Sequence, residues 1–494
     1  MIELDEMDDD LRKIHEASMA VLEQTGMRFH HPKVLEIMRQ NRIRIEGQTA
    51  FFTREQVIDW VSKAPTHFKM HARNPNYDFV VGGDHVEVCP GSGSSFVCEV
   101  DGTKHAALMS DYINFLKLYH QSSYYKVNGG IVVQPTDIGR STIALMLYAT
   151  MVFSDKVIIT GTGTAKEVEQ LMDMLGIVFG GKTSLADKPR CLTIVNTNTP
   201  LQFDTNMLET MMVFNKYKQP VVIAAASMAG TTAPMTLAGT IALANAEVLA
   251  GIAVAQMINK GTPVIYGSQS TTSDMRTGSI AIGAPEGALA YQYAARLAKS
   301  YGLPCRGGGT LTDAKTLSVQ AGYESMLTLL ASYSAKTNLI FQSSGIMDSY
   351  NSMCYEKFIA DLEIIGMVKR YIDGVKVDAE TLAVDEITEV GIAGQFLTSD
   401  HTMKHFRKEP FLPDISLRGA VGGDPSAKLM DNIKAKQDKL LASYCQPEMS
   451  TEVQGKLVEY LIECGYDSKL IESLNGRIQS APYSFVRFRP CTEQ

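Results

Sequence analysis

The sequence predicts an α/β protein whose centre is a closed (β/α)8 barrel of the TIM-barrel type. Short apolar runs recur at intervals of roughly 30 to 40 residues, and most of them are followed by a helical pattern. Eight such strand–helix units in a row are what a closed barrel requires. The predicted strands are residues 127–133, 156–160, 191–195, 221–226, 264–267, 305–308, 338–343 and 390–396, of which the last is the weakest.

Residues 1–105 predict a separate N-terminal α+β cap. Apolar residues at helical spacing indicate helices near 11–24, 32–40 and 54–64, and Thr53 with Gln56 forms a capping box for the third. Alternating apolar residues at 78–81 and 85–88 flank the turn residues 82–84, so we expect a β-hairpin there.

Residues 106–415 predict the catalytic barrel, and its most complete unit is 220–278. An apolar run at 221–226 fits a strand buried on both faces, and an apolar helix follows at 237–258. Gly261 ends that helix before the next strand, at 264–267. The loops after both strands are rich in small polar residues, where a parallel barrel places its chemistry.

Residues 416–494 predict a helical C-terminal extension, because this tail is polar and has helical patterns at 428–443 and 451–464. Pro410 and Pro413 exclude a regular helix just before it.

Composition excludes several classes of protein. A net charge of −8 argues against a nucleic-acid partner. The most apolar helix contains Asn245, Glu247 and Gln256, so we predict no membrane association. The acidic N-terminus is unlike a secretory signal, and the eight cysteines form no CxxC pair. We therefore expect a cytoplasmic protein with reduced thiols.

Motifs for phosphate and metal binding are weak. The glycine-rich stretches at 91–95 and 161–166 do not fit either common nucleotide-binding spacing. His67 with His71 and His401 with His405 have i, i+4 spacing, but a catalytic zinc needs a third protein ligand. We predict no metal site.

The polar residues after the last strong strands are the best candidates for a binding site. Arg306 follows Cys305 and precedes three glycines, and a guanidinium there can grip a carboxylate with two hydrogen bonds. Asp313 and Lys315 follow, and a pairing between them is the simpler interpretation. Further candidates after strand 338–343 are Gln342, Asp348 and Tyr350. An aromatic ring at the mouth can cover a quaternary ammonium by cation–π attraction, although simple packing explains Tyr350 equally well. Asn198, Arg276 and His401 are weaker candidates, chosen because they fall just past predicted strand ends.

Several long segments resemble the trimethylamine methyltransferase family. They are AGTTAPMTLAGTIALANAEVLAGIAVAQ, GAPEGALAYQYAARLAKSYGLP, TDAKTLSVQAGYES, GQFLTSDHTMKHF and GSGSSFVCEVDG. The resemblance implies a TIM-barrel enzyme that moves a methyl group from a methylated amine to the Co(I) of a separate corrinoid protein, with no cofactor bound tightly by this chain. We also expect a homo-oligomer.

Trimethylamine members of that family carry pyrrolysine, whereas this sequence contains only the twenty ordinary residues. It therefore resembles the non-pyrrolysine branch, which implies a quaternary amine of the glycine betaine or proline betaine type as substrate. Under this hypothesis Arg306 binds the carboxylate and Gln342 makes a second polar contact. Tyr350 forms one side of the cation pocket, and Asp313 and Lys315 support the site. The alternatives are a carnitine or γ-butyrobetaine methyltransferase and a non-catalytic betaine-binding protein.

Overall fold

A computed structural model of the chain describes residues 7–139, 142–472 and 474. Its centre is a sheet of eight parallel strands, which confirms the predicted TIM-barrel architecture. Residues 475–494 of the predicted C-terminal extension lie outside the described residues.

The N-terminal region combines short helices with small antiparallel sheets. Its elements are α1 (Asp9–Gln24), β1 (Met27–Phe29), α2 (Pro32–Gln40), β2 (Arg44–Glu46), β3 (Thr49–Phe51), α3 (Arg54–Val61), β4 (His67–Met70) and β5 (Phe79–Gly82). The capping box of α3 is present: the Gln56 backbone donates to Thr53 and the Gln56 side chain accepts from the Thr53 backbone. The three predicted helices are therefore confirmed.

The next part of the chain supplies the barrel. In order, its elements are β6 (Glu87–Val88), β7 (Phe96–Cys98), β8 (Lys104–Ala106), α4 (Met109–Gln121), β9 (Val127–Gly129), α5 (Thr142–Phe153), β10 (Val157–Ile159), α6 (Ala165–Phe179), α7 (Lys182–Asp187), β11 (Cys191–Asn196), β12 (Gln202–Phe203), α8 (Thr205–Lys216), β13 (Val221–Ala225), β14 (Met228–Ala229), α9 (Leu237–Ile258), β15 (Val264–Ser268), β16 (Thr271–Asp274), β17 (Ser279–Ala281), α10 (Pro285–Ser300), β18 (Cys305–Gly308), α11 (Val319–Ser334), β19 (Leu339–Phe341), β20 (Ile346–Met347), β21 (Ser352–Met353) and α12 (Tyr355–Ile372).

The order of strands around the barrel is β6, β9, β10, β11, β13, β15, β18, β19 and back to β6. Ile340 of β19 is in register with Val88 of β6, and a parallel bridge between Val88 and Tyr125 closes the ring beside β9. Seven of the eight predicted barrel strands are confirmed, with bounds that shift by a few residues.

Two predictions about the barrel strands are wrong. Residues 390–396 form the end of a helix and a loop, and the missing barrel strand is instead β6. The predicted hairpin at 82–84 is also wrong, because β5 pairs with β4, whereas β6 pairs with β19. A strand of two residues is too short to show a periodic pattern. Because β6 lies before residue 105, a domain boundary at residue 105 would separate β6 from the rest of the barrel.

The hairpin of β4 and β5 closes the N-terminal end of the barrel. The backbone N–H of His71 donates to the carbonyl of Pro189, just before β11, and that of Asn74 donates to Asp155, just before β10. Met70, Phe79 and Val81 of the hairpin are buried in one apolar cluster with the inward-facing residues of the strands. Only the opposite end, at the carboxyl ends of the strands, is left for a ligand to enter.

Helix α9 is long and apolar enough to span a membrane, yet nearly all of it is packed inside the protein. Its polar residues are satisfied within the core. The Asn245 side chain donates to Ser18 of α1 at 2.8 Å and accepts from Tyr266 of β15 at 2.9 Å. Glu247 accepts from Thr197, Thr199 and the backbone of Leu201. The bond between Asn245 and Ser18 joins the N-terminal region to the barrel wall.

The C-terminal part of the chain is helical. It contains α13 (Ala379–Leu382), α14 (Val384–Val390), α15 (Asp400–His405), α16 (Pro425–Ala442) and α17 (Thr451–Glu463). Helix α16 packs against α4 and α12, and α17 packs against α5 and α6, so these two helices lie on the outside of the barrel.

Candidate active site

Arg306 is the second residue of β18, and its side chain reaches Ser268, the last residue of β15. Its neighbour Cys305 belongs to the outer core, and Arg306 faces the interior, with its guanidinium carbon 5.2 Å from the ring centroid of Phe341. The side chain is 4% exposed, and Nη1 donates to the carbonyl of Ser268 at 3.1 Å. Its Nε has no hydrogen-bond partner.

The charge of Arg306 is not neutralised by any carboxylate that the structure describes. Burial lowers the pKa of Arg306, and the neighbouring groups that oppose this shift, Tyr350, Tyr291 and Cys89, include no carboxylate. Burying a guanidinium without a counter-ion is costly. A bound anion would therefore be stabilised strongly at this position.

Two tyrosines and an amide lie next to Arg306. The Gln269 Nε2 donates to the hydroxyl of Tyr291 at 3.1 Å and also to the hydroxyl of Tyr350. The Gln269 Oε1 is buried and has no partner. Burial raises the pKa of both tyrosines, so both are neutral phenols at physiological pH.

Tyr291 was missed from the sequence because it lies on α10, a helix of the outer layer. Gly308 of β18 admits its ring: a Cβ on Gly308 would lie 2.8 Å from two carbons of that ring. The run of glycines after Arg306 is the signal that a bulky group packs against this strand. Gln269 stands in a loop that the sequence marked as polar, and the structure adds it to the site.

Tyr350 reaches the site because three consecutive residues adopt the left-handed conformation. Asp348, Ser349 and Tyr350 have φ values of 51°, 53° and 74°. This conformation costs a side-chain-bearing residue about 1–2 kcal/mol. The segment is therefore held by its surroundings, as strained segments at functional sites commonly are.

Asp313, Lys315 and Asp348 provide that support. Asp348 forms ion pairs with Lys104 and Lys315, so the expected pairing of Asp313 with Lys315 is wrong. Asp313 instead accepts from the Ser349 hydroxyl at 2.6 Å and from two backbone N–H groups at 3.0 Å, those of Ile282 and Gly283. The bond to Ser349 joins Asp313 to the left-handed segment, and the two backbone bonds join Asp313 to the loop after β17.

Burial alone would raise the pKa of Asp348. The hydrogen bonds and charges of Lys104 and Lys315 outweigh that effect and lower the pKa below its ordinary value. Asp348 is therefore an ionised member of a lysine–carboxylate–lysine bridge.

Gln342 bridges two barrel strands at the mouth. Its Oε1 accepts from the backbone N–H of Ser92 at 2.6 Å, and its Nε2 donates to the Ser92 carbonyl at 3.2 Å. Both polar atoms of the amide are thus occupied by the loop after β6. The structure places Gln342 beside the site, where it joins the first and last barrel strands.

Three weaker candidates lie away from Arg306. Asn198 is exposed and accepts from the backbone of Asp204 at 3.0 Å. Arg276 is 90% exposed and pairs with Asp274 in the loop between β16 and β17. His401 is on α15, and the reason for choosing it is wrong because residues 390–396 form no strand. Its ring lies 4.4 Å from that of His405.

Within residues 7–139, 142–472 and 474, no three His, Cys, Asp or Glu side chains are grouped to hold a metal ion. The seven cysteines that the structure describes are free thiols, five of them buried.

Comparison with known proteins gives consistent matches. A model of the trimethylamine methyltransferase family (MTTB) matches residues 3–464. The chain is 41% identical to a glycine betaine methyltransferase of Desulfitobacterium hafniense (strain Y51), over 93% of this chain and 96% of that protein. It is 30% identical to an L-carnitine:corrinoid methyltransferase of Eubacterium limosum, over 91% and 95%. It is also 30% identical to the trimethylamine methyltransferase MttB of D. hafniense (strain DSM 10664 / DCB-2), over 81% and 82%. The protein therefore belongs to the trimethylamine methyltransferase family.

Proposed function

We propose that this enzyme transfers a methyl group from a quaternary amine of the glycine betaine type to the Co(I) of a corrinoid protein. Family membership supports methyl transfer, and the similarity to a glycine betaine methyltransferase supports the substrate class. The observation that carries the proposal is the burial of Arg306, which has no carboxylate partner among the residues that the structure describes.

In this proposal Arg306 binds the carboxylate of the substrate. Nε is without a partner and Nη1 is bonded to a carbonyl only, so the guanidinium keeps donors for an anion. A carboxylate would supply the counter-charge that the protein does not. A simple methylamine has no carboxylate and would leave this charge unpaired, so the site favours a betaine over trimethylamine.

The tyrosines next to Arg306 suit the cationic end of the same substrate. Neutral aromatic rings attract a quaternary ammonium through their faces without requiring a negative charge. Tyr350 and Tyr291 both lie close enough to Arg306 to affect its pKa. A site in which an anion-binding arginine lies next to cation-binding aromatic rings fits a betaine in which one methylene separates the two charges. Carnitine, whose charges are farther apart, fits less well.

The reaction needs positioning more than acid–base chemistry. Co(I) contributes an electron pair to the methyl carbon as the carbon–nitrogen bond breaks, and that bond's electrons remain on nitrogen. The amine leaves neutral, so no proton has to be supplied. Charge disperses in the transition state, which favours a pocket with little water. The chain's own contribution is to hold the methyl group in line with the cobalt.

We further propose that the corrinoid protein docks at the open mouth, and that this chain binds no cofactor tightly itself. The closed N-terminal end supports this placement, since the hairpin of β4 and β5 fills it. A cytoplasmic location fits the reducing conditions that Co(I) requires.

The decisive experiment combines the purified chain with a corrinoid protein reduced to Co(I) and follows conversion to methyl-Co(III) by absorbance. Glycine betaine, proline betaine, carnitine, γ-butyrobetaine and trimethylamine are compared as donors. We expect glycine betaine to give the highest kcat/KM. Preference for trimethylamine would contradict the proposal, and saturable betaine binding without cobalt methylation would indicate a binding protein instead.

A further inference from the structure

Gln269 is the first residue after β15, and backbone contacts on both sides hold it next to Arg306. Its own N–H donates to the carbonyl of Ala225, the last residue of β13, at 2.8 Å. The carbonyl of the preceding residue, Ser268, accepts from Arg306 Nη1 at 3.1 Å. The buried guanidinium is therefore bonded to the chain one residue before Gln269.

The side-chain amide of Gln269 connects the two tyrosines of the site. Its Nε2 donates to the hydroxyl of Tyr291 at 3.1 Å and also to the hydroxyl of Tyr350. The two hydroxyls are hydrogen-bonded to each other as well. One ring comes from α10 and the other from the loop between β20 and β21, so a single amide group fixes how two distant elements present their rings.

The oxygen of the same amide is an open acceptor. Gln269 Oε1 is buried and has no hydrogen-bond partner among the described residues, and the same holds for the donor Arg306 Nε. A buried polar atom without a partner is costly, and ligand-binding sites are among the places where such atoms persist. The chain thus leaves the charge of Arg306 uncompensated although a side chain of suitable length lies beside it.

The absence of charge on residue 269 is important because glutamate has nearly the same size and shape as glutamine. A glutamate could keep both tyrosine contacts, since a phenol hydroxyl can donate as well as accept. It would also place a negative charge beside Arg306 and form the internal ion pair that the described chain lacks. The carboxylate of a betaine would then approach a compensated arginine and a like charge. A quaternary amine without a carboxylate would meet no such repulsion.

We infer that Gln269 is a specificity-determining residue, which orients both tyrosine rings and, because it is neutral, reserves the charge of Arg306 for the carboxylate of the substrate. This inference rests on the proposed betaine methyltransferase function and deepens it. Selectivity then comes from two features: an attraction offered to the anionic end of a betaine, and the lack of any internal anion that would compete with it.

The test compares glycine betaine with tetramethylammonium, a quaternary amine that has no carboxylate. The purified chain is assayed with a corrinoid protein reduced to Co(I), and kcat/KM is measured for each donor. In Gln269→Glu we expect the ratio of kcat/KM for glycine betaine to that for tetramethylammonium to fall roughly 100-fold or more, because like charges brought together are strongly disfavoured. Activity with tetramethylammonium should rise above that of the wild type, a gain that a damaged fold does not produce.

Two further variants separate charge from hydrogen bonding. Gln269→Met stays neutral but loses both tyrosine contacts, so it should lower kcat/KM for the two donors by a similar factor and keep the preference for glycine betaine. The matched control is Gln454→Glu on α17, where the amide also donates to a tyrosine hydroxyl, that of Tyr148, at 3.3 Å. This control should leave both donors unchanged.

Calorimetric titration with glycine betaine in the absence of the corrinoid protein gives a readout that does not depend on turnover. We expect binding by the wild type and by Gln454→Glu, and affinity roughly 30-fold or more weaker in Gln269→Glu, as for the loss of a charge-assisted contact.

Several outcomes would overturn the inference while leaving the proposed function in place. One is an unchanged donor ratio in Gln269→Glu although the wild type methylates cobalt from glycine betaine. Another is an equal loss of both donors in Gln269→Glu and Gln269→Met, which would mean that the amide only supports the rings. A preference for tetramethylammonium in Gln269→Met would also contradict the inference, whether or not Gln269→Glu folds. Failure of the wild type with every betaine would instead overturn the proposed function, and this inference with it.

Discussion

Two of the cations buried in this protein, Lys357 and Arg306, have very different surroundings. Lys357 of α12 contacts both carboxylate oxygens of Asp361 at 2.6 Å and donates to Ser325 at 2.8 Å. Arg306 is buried to a similar degree, yet it donates only to a backbone carbonyl and keeps Nε without a partner. Asp361 also accepts from the backbone of Gly345, which anchors the loop that leads to Asp348.

The comparison separates structural burial from functional burial. A buried cation whose donors all find acceptors stabilises the fold, because its charge is compensated within the chain. A buried cation with open donors leaves a charge for a ligand to compensate. The two sites should therefore respond in opposite ways when each cation is removed.

The largest expected effect is on stability at Lys357. The substitution Lys357→Met leaves Asp361 as an uncompensated buried charge, and we expect it to lower the free energy of unfolding by about 3–5 kcal/mol. Denaturant unfolding measures this. The double variant Lys357→Met/Asp361→Asn should recover much of the loss, since an amide oxygen can still accept from Gly345. Equal instability of both variants would show that the charge pair is not the cause.

The next largest effect is on substrate binding at Arg306. The substitution Arg306→Ala should raise KM for glycine betaine by roughly 30-fold or more, because a lost charge-assisted hydrogen bond is worth about 2 kcal/mol. Steady-state kinetics with reduced corrinoid protein measures this. Stability should change little or rise, in contrast to Lys357→Met. Arg276→Ala, at an exposed arginine, is the matched control and should leave KM unchanged. Unaltered kinetics in Arg306→Ala would remove the assignment.

A smaller effect is expected at Tyr350. The substitution Tyr350→Leu removes the ring and should lower kcat/KM. The corresponding loss of transition-state stabilisation should be about 1–2 kcal/mol, the value of a desolvated cation–π contact. Tyr350→Phe keeps the ring and loses only the hydroxyl bond to Gln269, so we expect a loss of about 1 kcal/mol or less. If both variants lost the same activity, the hydroxyl rather than the ring would be the important group.

The smallest effect concerns the lysine bridge of Asp348. Because the folded pKa of Asp348 lies below the unfolded value of 3.8, its ionised form stabilises the protein above that pH, and the contribution is lost as the pH falls through the folded pKa. Because its lysine partners are partly exposed, we expect ionised Asp348 to contribute about 1 kcal/mol or less to the free energy of unfolding. The stability difference between wild type and Asp348→Asn should be constant near neutral pH and shrink below pH 3.8. A difference that persists in acid would mean that charge is not its origin.

The sequence singled out Arg306 and Tyr350 as candidates, but not the residues that lie against them in the folded chain. Tyr350 comes after the apolar run of β19, so a place beyond the carboxyl end of that strand was predictable. Arg306 is instead the second residue of β18, and only its side chain reaches Ser268, the last residue of β15. The contacts of Tyr350 with Gln269 and of Asp348 with Lys104 join residues separated by 81 and 244 positions. Pairing at such distances leaves no trace in local spacing, which is why the nearer partner, Asp313, was chosen for Lys315.

The sequence by itself determined the barrel, the buried helix α9 and the family, because long apolar periodicities and extended family segments are properties of the chain alone. Only the tertiary structure decided that β6 begins the barrel, that residues 390–396 do not end it, and that Arg306 is buried without a counter-charge. A two-residue strand gains its stability from its neighbours in the ring, and the charge of a side chain is compensated or left open by groups from other elements. Both depend on which distant residues come together in the folded chain.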